Sequence, residues 1–145
     1  MVSHEISFGP GLTLTLSWEV EPAPGVGPNY RTASGALDVR LDPVGAGIQA
    51  TRHVAVDAEA LDNFDNALAL LLDALTGSAT LESTNGLEGL GSFAITITLA
   101  EGKGDIQGFL AARYPEVRLS FAGYETDQSY LQETRSQLRS LLADR

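Results

Sequence analysis

The stretch VAVDAEALDNFDNALALLLDALTGSATLE, residues 54–82, changes its period twice and decides the fold. Val54 and Val56 continue an alternating run that begins at Ile48 and Ala50, with Arg52 the exception on that apolar face. From Ala58 to Thr76, Leu61, Phe64, Leu68, Leu71, Leu72 and Leu75 recur at spacings of three and four, the signature of an amphipathic helix. Asp57 suits its N-cap, Val56 and Leu61 a hydrophobic staple, and Gly77 the C′ position. Beyond it Ala79 and Leu81 alternate with Thr80 and Glu82, so the period returns to two. The order is strand, helix, strand.

Upstream, Leu12, Leu14, Leu16, Trp18 and Val20 alternate with Thr13, Thr15, Ser17, Glu19 and Glu21, a strand with one face on the core. His4 to Phe8 pairs with it across Gly9-Pro10-Gly11. The Pro/Gly-rich run from Pro22 to Asn29 reads as a loop. Leu37, Val39 and Leu41 form a third strand before the turn at Asp42-Pro43. Downstream, Asn85-Gly86 marks a turn, and Phe93, Ile95, Ile97 and Leu99 make a strongly β-prone run. Glu101-Gly102-Lys103-Gly104 turns the chain into a return strand, Asp105 to Tyr114, and Val117, Leu119 and Phe121 follow. Thr126 or Asp127 can cap a last helix carrying Leu131, Leu138, Leu141 and Leu142.

Four strands, a helix, four strands and a helix, joined by short turns, imply antiparallel pairing. The expected class is α+β, one domain over 1–145, with a curved or two-part antiparallel sheet of about eight strands and two helices near 57–76 and 126–143. The halves repeat in element order but show no residue-level similarity. The expected interior includes Trp18, Leu61, Phe64, Leu68, Leu71, Ile95, Ile97, Leu119 and Phe121.

The chain has 145 residues, 43% hydrophobic and 19% charged, enough for one full core. There is no cysteine, which excludes disulfides, thiolate metal sites and a cysteine nucleophile. The longest apolar run, Ala67 to Leu72, has six residues against the ~20 a membrane helix needs. Met1 to Glu5 lacks the basic flank and apolar stretch of a signal peptide, so the chain reads as soluble and cytoplasmic, without a membrane role. Nine basic against 19 acidic residues give a net charge of −10, which repels nucleic acid. Between Arg52 and Lys103 there is no lysine or arginine, yet that interval holds Asp57, Glu59, Asp62, Asp65, Asp73, Glu82, Glu88 and Glu101. Such a face serves solubility, or it steers a basic protein into contact.

Catalytic and metal signatures are lacking. His4 is near-terminal, His53 falls on a polar strand face, and no Gly-x-Ser-x-Gly elbow is present. Asp62-Asn63-Phe64-Asp65-Asn66 lacks the spacing of a calcium loop. We expect no enzyme activity, no metal and no cofactor. On a helix, Glu59, Asp62, Asp65 and Asn66 form a stripe opposite the leucine face, a solvated surface or a docking face for a basic partner. Tyr124 and Tyr130 flank the last helix start, and an exposed tyrosine there would anchor an interface.

In the C-terminal third, Gly104-Asp105-Ile106-Gln107-Gly108 precedes Val117 to Phe121, and Glu125-Thr126-Asp127-Gln128-Ser129-Tyr130-Leu131 opens the last helix. Together with the helix of Leu61, Phe64, Leu68, Leu71 and Leu72, this resembles the small bacterial WapI-like immunity proteins and related uncharacterised bacterial domains, over roughly Asp57 to Leu142. The resemblance implies a binding protein that neutralises a toxin by protein contact, with Glu59, Asp62, Asp65, Asn66 and Tyr130 as candidate contact residues and no catalytic residue. The alternatives are a small-molecule binding module on the concave face of the sheet, and a structural subunit. Partner identity and oligomeric state are left open.

Overall fold

A computed structural model describes residues 2–19, 31–41, 47–84, 90–112 and 116–145. The expected loop at 22–29 and the turns at Asp42-Pro43 and Asn85-Gly86 lie outside them, as does Tyr114. The elements run β1 (His4–Gly9), β2 (Leu12–Trp18), β3 (Thr32–Leu41), β4 (Ile48–Asp57), α1 (Ala58–Ala74), β5 (Thr76–Glu82), β6 (Ser92–Ala100), β7 (Lys103–Ala112), β8 (Val117–Asp127) and α2 (Gln128–Ala143). The strands form two antiparallel four-stranded meanders, β1-β2-β3-β4 and β5-β6-β7-β8. The expected α+β class holds, in its two-part form.

Alternation places the core. In β2, Leu12, Leu14, Leu16 and Trp18 are buried while the threonines between them are not. In β6, Phe93, Ile95, Ile97 and Leu99 do the same. These faces, with Leu61, Phe64, Leu68 and Leu71 of α1 and Leu131, Leu138 and Leu141 of α2, make one hydrophobic cluster. Of the expected interior only Leu119 is half-exposed, because β8 is an edge strand whose first residues project past the cluster. α1 packs against β5, while α2 crosses back to lie against β1 and α1. No helix among the described residues is long and apolar enough to cross a membrane.

Several local expectations are corrected. α1 ends at Ala74, and Leu75, in left-handed conformation (φ 59°), takes the C-cap role assigned to Gly77, its N–H bonded to the Leu71 carbonyl at 2.8 Å. Gly77 instead lies within β5. Asp57 occupies the N-cap position of α1 but makes no side-chain cap bond; its carboxylate accepts from the Thr32 hydroxyl at 3.4 Å. At α2 the cap is Asp127, whose Oδ1 accepts from the Tyr130 N–H at 2.8 Å. The Glu101-Gly102 turn joins Ala100 to Lys103 as a two-residue hairpin with φ of 54° and 81°, both positive as a type I′ turn requires.

One feature repeats between the halves. A Cβ on Gly35, in β3, would collide with the Thr15 carbonyl oxygen of β2, and a Cβ on Gly108, in β7, would collide with that of Ala94 in β6. Each meander thus needs a bare backbone on its third strand to close on its second, opposite Leu16 and Ile95 respectively.

Candidate functional site

The acidic stripe of α1 divides in two. Asp65 Oδ1 accepts from Arg135 Nε of α2 at 3.0 Å, and Asp62 Oδ2 from Arg145 beyond α2 at 2.6 Å. The Asp65 carboxylate keeps only 15% of its accessible surface, because α2 lies over it. Glu59 and Asn66 are exposed. The stripe therefore works partly as a clamp between helices: two carboxylates hold α2, and the other two side chains face solvent.

Tyr130 is half-buried, its hydroxyl 2.7 Å from Ser7 Oγ. One and two turns on, Thr134 Oγ1 donates to the Ser7 carbonyl (2.7 Å) and Gln137 Oε1 accepts from the Ser7 N–H (2.8 Å). Residues 130, 134 and 137 lie on one face of α2, so the helix supplies hydrogen-bond partners along the open edge of β1. The buried threonine within α2 was a legible signal, since a helix interior rarely hides one without a partner.

The two histidines lie on β1 and β4, at opposite edges of one sheet, and do not meet. His4 Nε2 is 3.0 Å from Asp144 Oδ2 at the surface, and His53 is exposed. Among the described residues no group of three or more histidine or acidic side chains could hold a metal ion. Asp38 is held below the usual carboxylate range chiefly by the Thr51 hydroxyl at 2.7 Å; burial opposes this, and Gln49 and Arg40 add to it.

Two further features were not singled out from the sequence. The first is an open cleft of about 700 Å³ between the end of the first sheet and β8, walled by Pro10, Gly11, Leu41, Ile48, Ala122, Gly123 and Tyr124, with Arg40 its one charged residue. Ile48 is 51% exposed there. The Tyr124 hydroxyl spans it, donating to the Arg40 carbonyl at 2.6 Å, and burial raises its phenol above the ordinary tyrosine value. The second is a like-charge pair: Asp105 and Glu125 stand directly opposite on β7 and β8, both exposed and neither in an ion pair with a described residue. Opposed like charges on neighbouring strands cost stability.

The chain matches no protein-family model, no curated protein and no solved structure.

Proposed function

We propose that this chain is a non-catalytic binding protein for a cationic protein partner, acting as an immunity protein does, by covering a basic surface of a toxin. The observation that supports it most is the number of exposed carboxylates without an ion-pair partner among the described residues, Glu59, Asp73, Glu82, Glu101, Asp105 and Glu125 among them. Asp62 and Asp65, already matched by arginines, add less to the external field than their number suggests. Glu59 and Asn66 stay within the proposed docking surface. A net charge of −10 concentrated on exposed positions raises association rate with a cation-rich surface more than it raises final affinity. Asp105 opposite Glu125 adds weight, since a pair that weakens the sheet is compensated when a partner brings positive charge to it.

The test is a binding assay with the protein encoded beside this one, run across a salt series. The reading expects an association rate that falls steeply with ionic strength, and falls further when Glu59, Asp105 and Glu125 are changed to their amides. Association with no salt dependence, unaltered in that triple variant, would remove the electrostatic basis of the proposal.

A further inference from the structure

Sheet edges expose unpaired backbone groups that other chains can join, and proteins cover them. In this molecule β1 is covered by Thr134 and Gln137 of α2. On β4 the carbonyls of Ala55 and His53 accept from Thr84 N (2.8 Å) and Gly91 N (2.7 Å). α1 packs against β5. β8 differs. Its inner side is laddered to β7, and its far end approaches β1, where Gly9 lies beside Tyr124. Among the described residues no hydrogen bond reaches its outer backbone between Val117 and Phe121; beyond that run Ala122 and Gly123 stand against Gln107 alone, a bulge at which Gly123 holds φ 81°.

That open run leads into the cleft, because the bulge residues Ala122 and Gly123 that follow it, and Tyr124, line the cleft. Val117 to Tyr124 holds no carboxylate, Val117 is 53% exposed, and Arg118 stacks over Phe109 at 4.0 Å on the outer sheet face. Glu116 is exposed before the run; Glu125, with Asp105 opposite, is exposed after it. The result is an edge whose single charge, Arg118, is turned onto Phe109, with negative charge beyond each end and a largely apolar recess at one side.

We infer that the outer edge of β8, from Val117 to Phe121, takes up an extended segment of the cationic partner as a ninth strand, with apolar side chains of that segment entering the Leu41–Ile48–Tyr124 cleft past the bulge. Main-chain bonds along the edge supply affinity and the recess selects side chains. At roughly 3.3 Å per residue the open run is about 17 Å long, which suits a segment of about five residues. Lysine or arginine at its two ends would meet Glu116 and the Asp105–Glu125 pair. Charge argues against a second copy of this chain as the occupant. Antiparallel pairing of two β8 strands about Ser120 would bring the Glu116 end of each copy against the Glu125 end of the other, between molecules of net charge −10. The inference rests on the proposed cationic partner and gives it a location.

The experiment selects a phage-displayed library of random dodecapeptides on the full chain, then follows amide hydrogen exchange with a synthetic winner bound. Expected are winners with alternating apolar residues bounded by lysine or arginine, and slowed exchange at every other amide between Val117 and Phe121 by about tenfold or more. Ile48→Lys, a change at an exposed position, should weaken the winner about tenfold by placing a charge in the recess. Asp105→Asn with Glu125→Gln should slow its association severalfold. Failure to select any peptide, or protection confined to other elements, overturns the site. A dimer with protected β8 amides in the unliganded protein makes a second copy the occupant and also overturns it. If the adjacent-gene partner binds Ile48→Lys as it binds the wild type, with the same salt dependence, this site fails while the proposed function stands. If no cationic protein binds in a salt-dependent way, both fail.

Discussion

Trp18 shows how one residue can secure an element distant in sequence. Its ring is 5% exposed, Arg31 lies over it at 5.5 Å, and its Nε1 donates to the Leu141 carbonyl at 2.7 Å near the end of α2. Trp18→Phe keeps most of the apolar area but leaves that carbonyl without its donor. We expect a loss of about 1–3 kcal/mol in urea unfolding, with hydrogen exchange of the last turn of α2 quickened most. Tyr124 makes a prediction in pH. Its folded pKa is raised, so the neutral phenol binds its proton more tightly in the folded state than in the unfolded state. The corresponding stability is complete below the unfolded tyrosine pKa of about 10 and is lost as pH rises through the higher folded value. Thermal unfolding above pH 10 should therefore fall less steeply in Tyr124→Phe; parallel curves for the two proteins would contradict this assignment.

At the scale of elements, the third strand of each meander depends on an absent side chain. Gly108→Ala inserts a methyl against the Ala94 carbonyl and the Phe121 ring, and β7 has to shift to receive it. A cost of about 1–3 kcal/mol is expected, with weakened β6–β7 pairing in hydrogen exchange. The hairpin at Glu101-Gly102 predicts the opposite sign. Glu101 holds φ 54° without the local hydrogen-bonding help that lets asparagine adopt this region. Glu101→Asn makes the favoured dipeptide for a type I′ turn and should raise the unfolding free energy by about 1 kcal/mol, read as a higher denaturant midpoint. Periodicity located all ten elements in order, because alternation and 3–4 spacing depend only on which face is buried. Termini were harder: Gly77, three residues past the last residue of α1, was the expected cap, yet Leu75 adopts the left-handed conformation, packed against the core as a half-buried side chain. Burial outweighed local preference there.

For the whole molecule, the union of the halves rests on α2, whose partners are β1 and α1 at the other end of the chain. Arg135→Ala leaves the Asp65 carboxylate, only 15% accessible, without its cation. A loss of about 1–3 kcal/mol in unfolding free energy is expected, and Asp65→Asn in the same chain should recover part of it. If Arg135→Ala unfolds like the wild type, that pair contributes nothing to helix docking. The sequence by itself determined the α+β class, the order of elements, the buried faces of β2, β6 and the two helices, and the excess of negative charge, because these follow from periodicity and composition; Ile48, read on an apolar strand face, is 51% exposed. Tertiary structure decided which carboxylates are matched, since Arg135 and Arg145 lie 70 and 83 residues from Asp65 and Asp62. It also decided that Tyr130 binds Ser7 across 123 residues, and that β8 shares the walls of a cleft with the first sheet. Pairings between residues so distant in sequence leave no period along the chain; they exist only once two faces, each legible alone, are brought together.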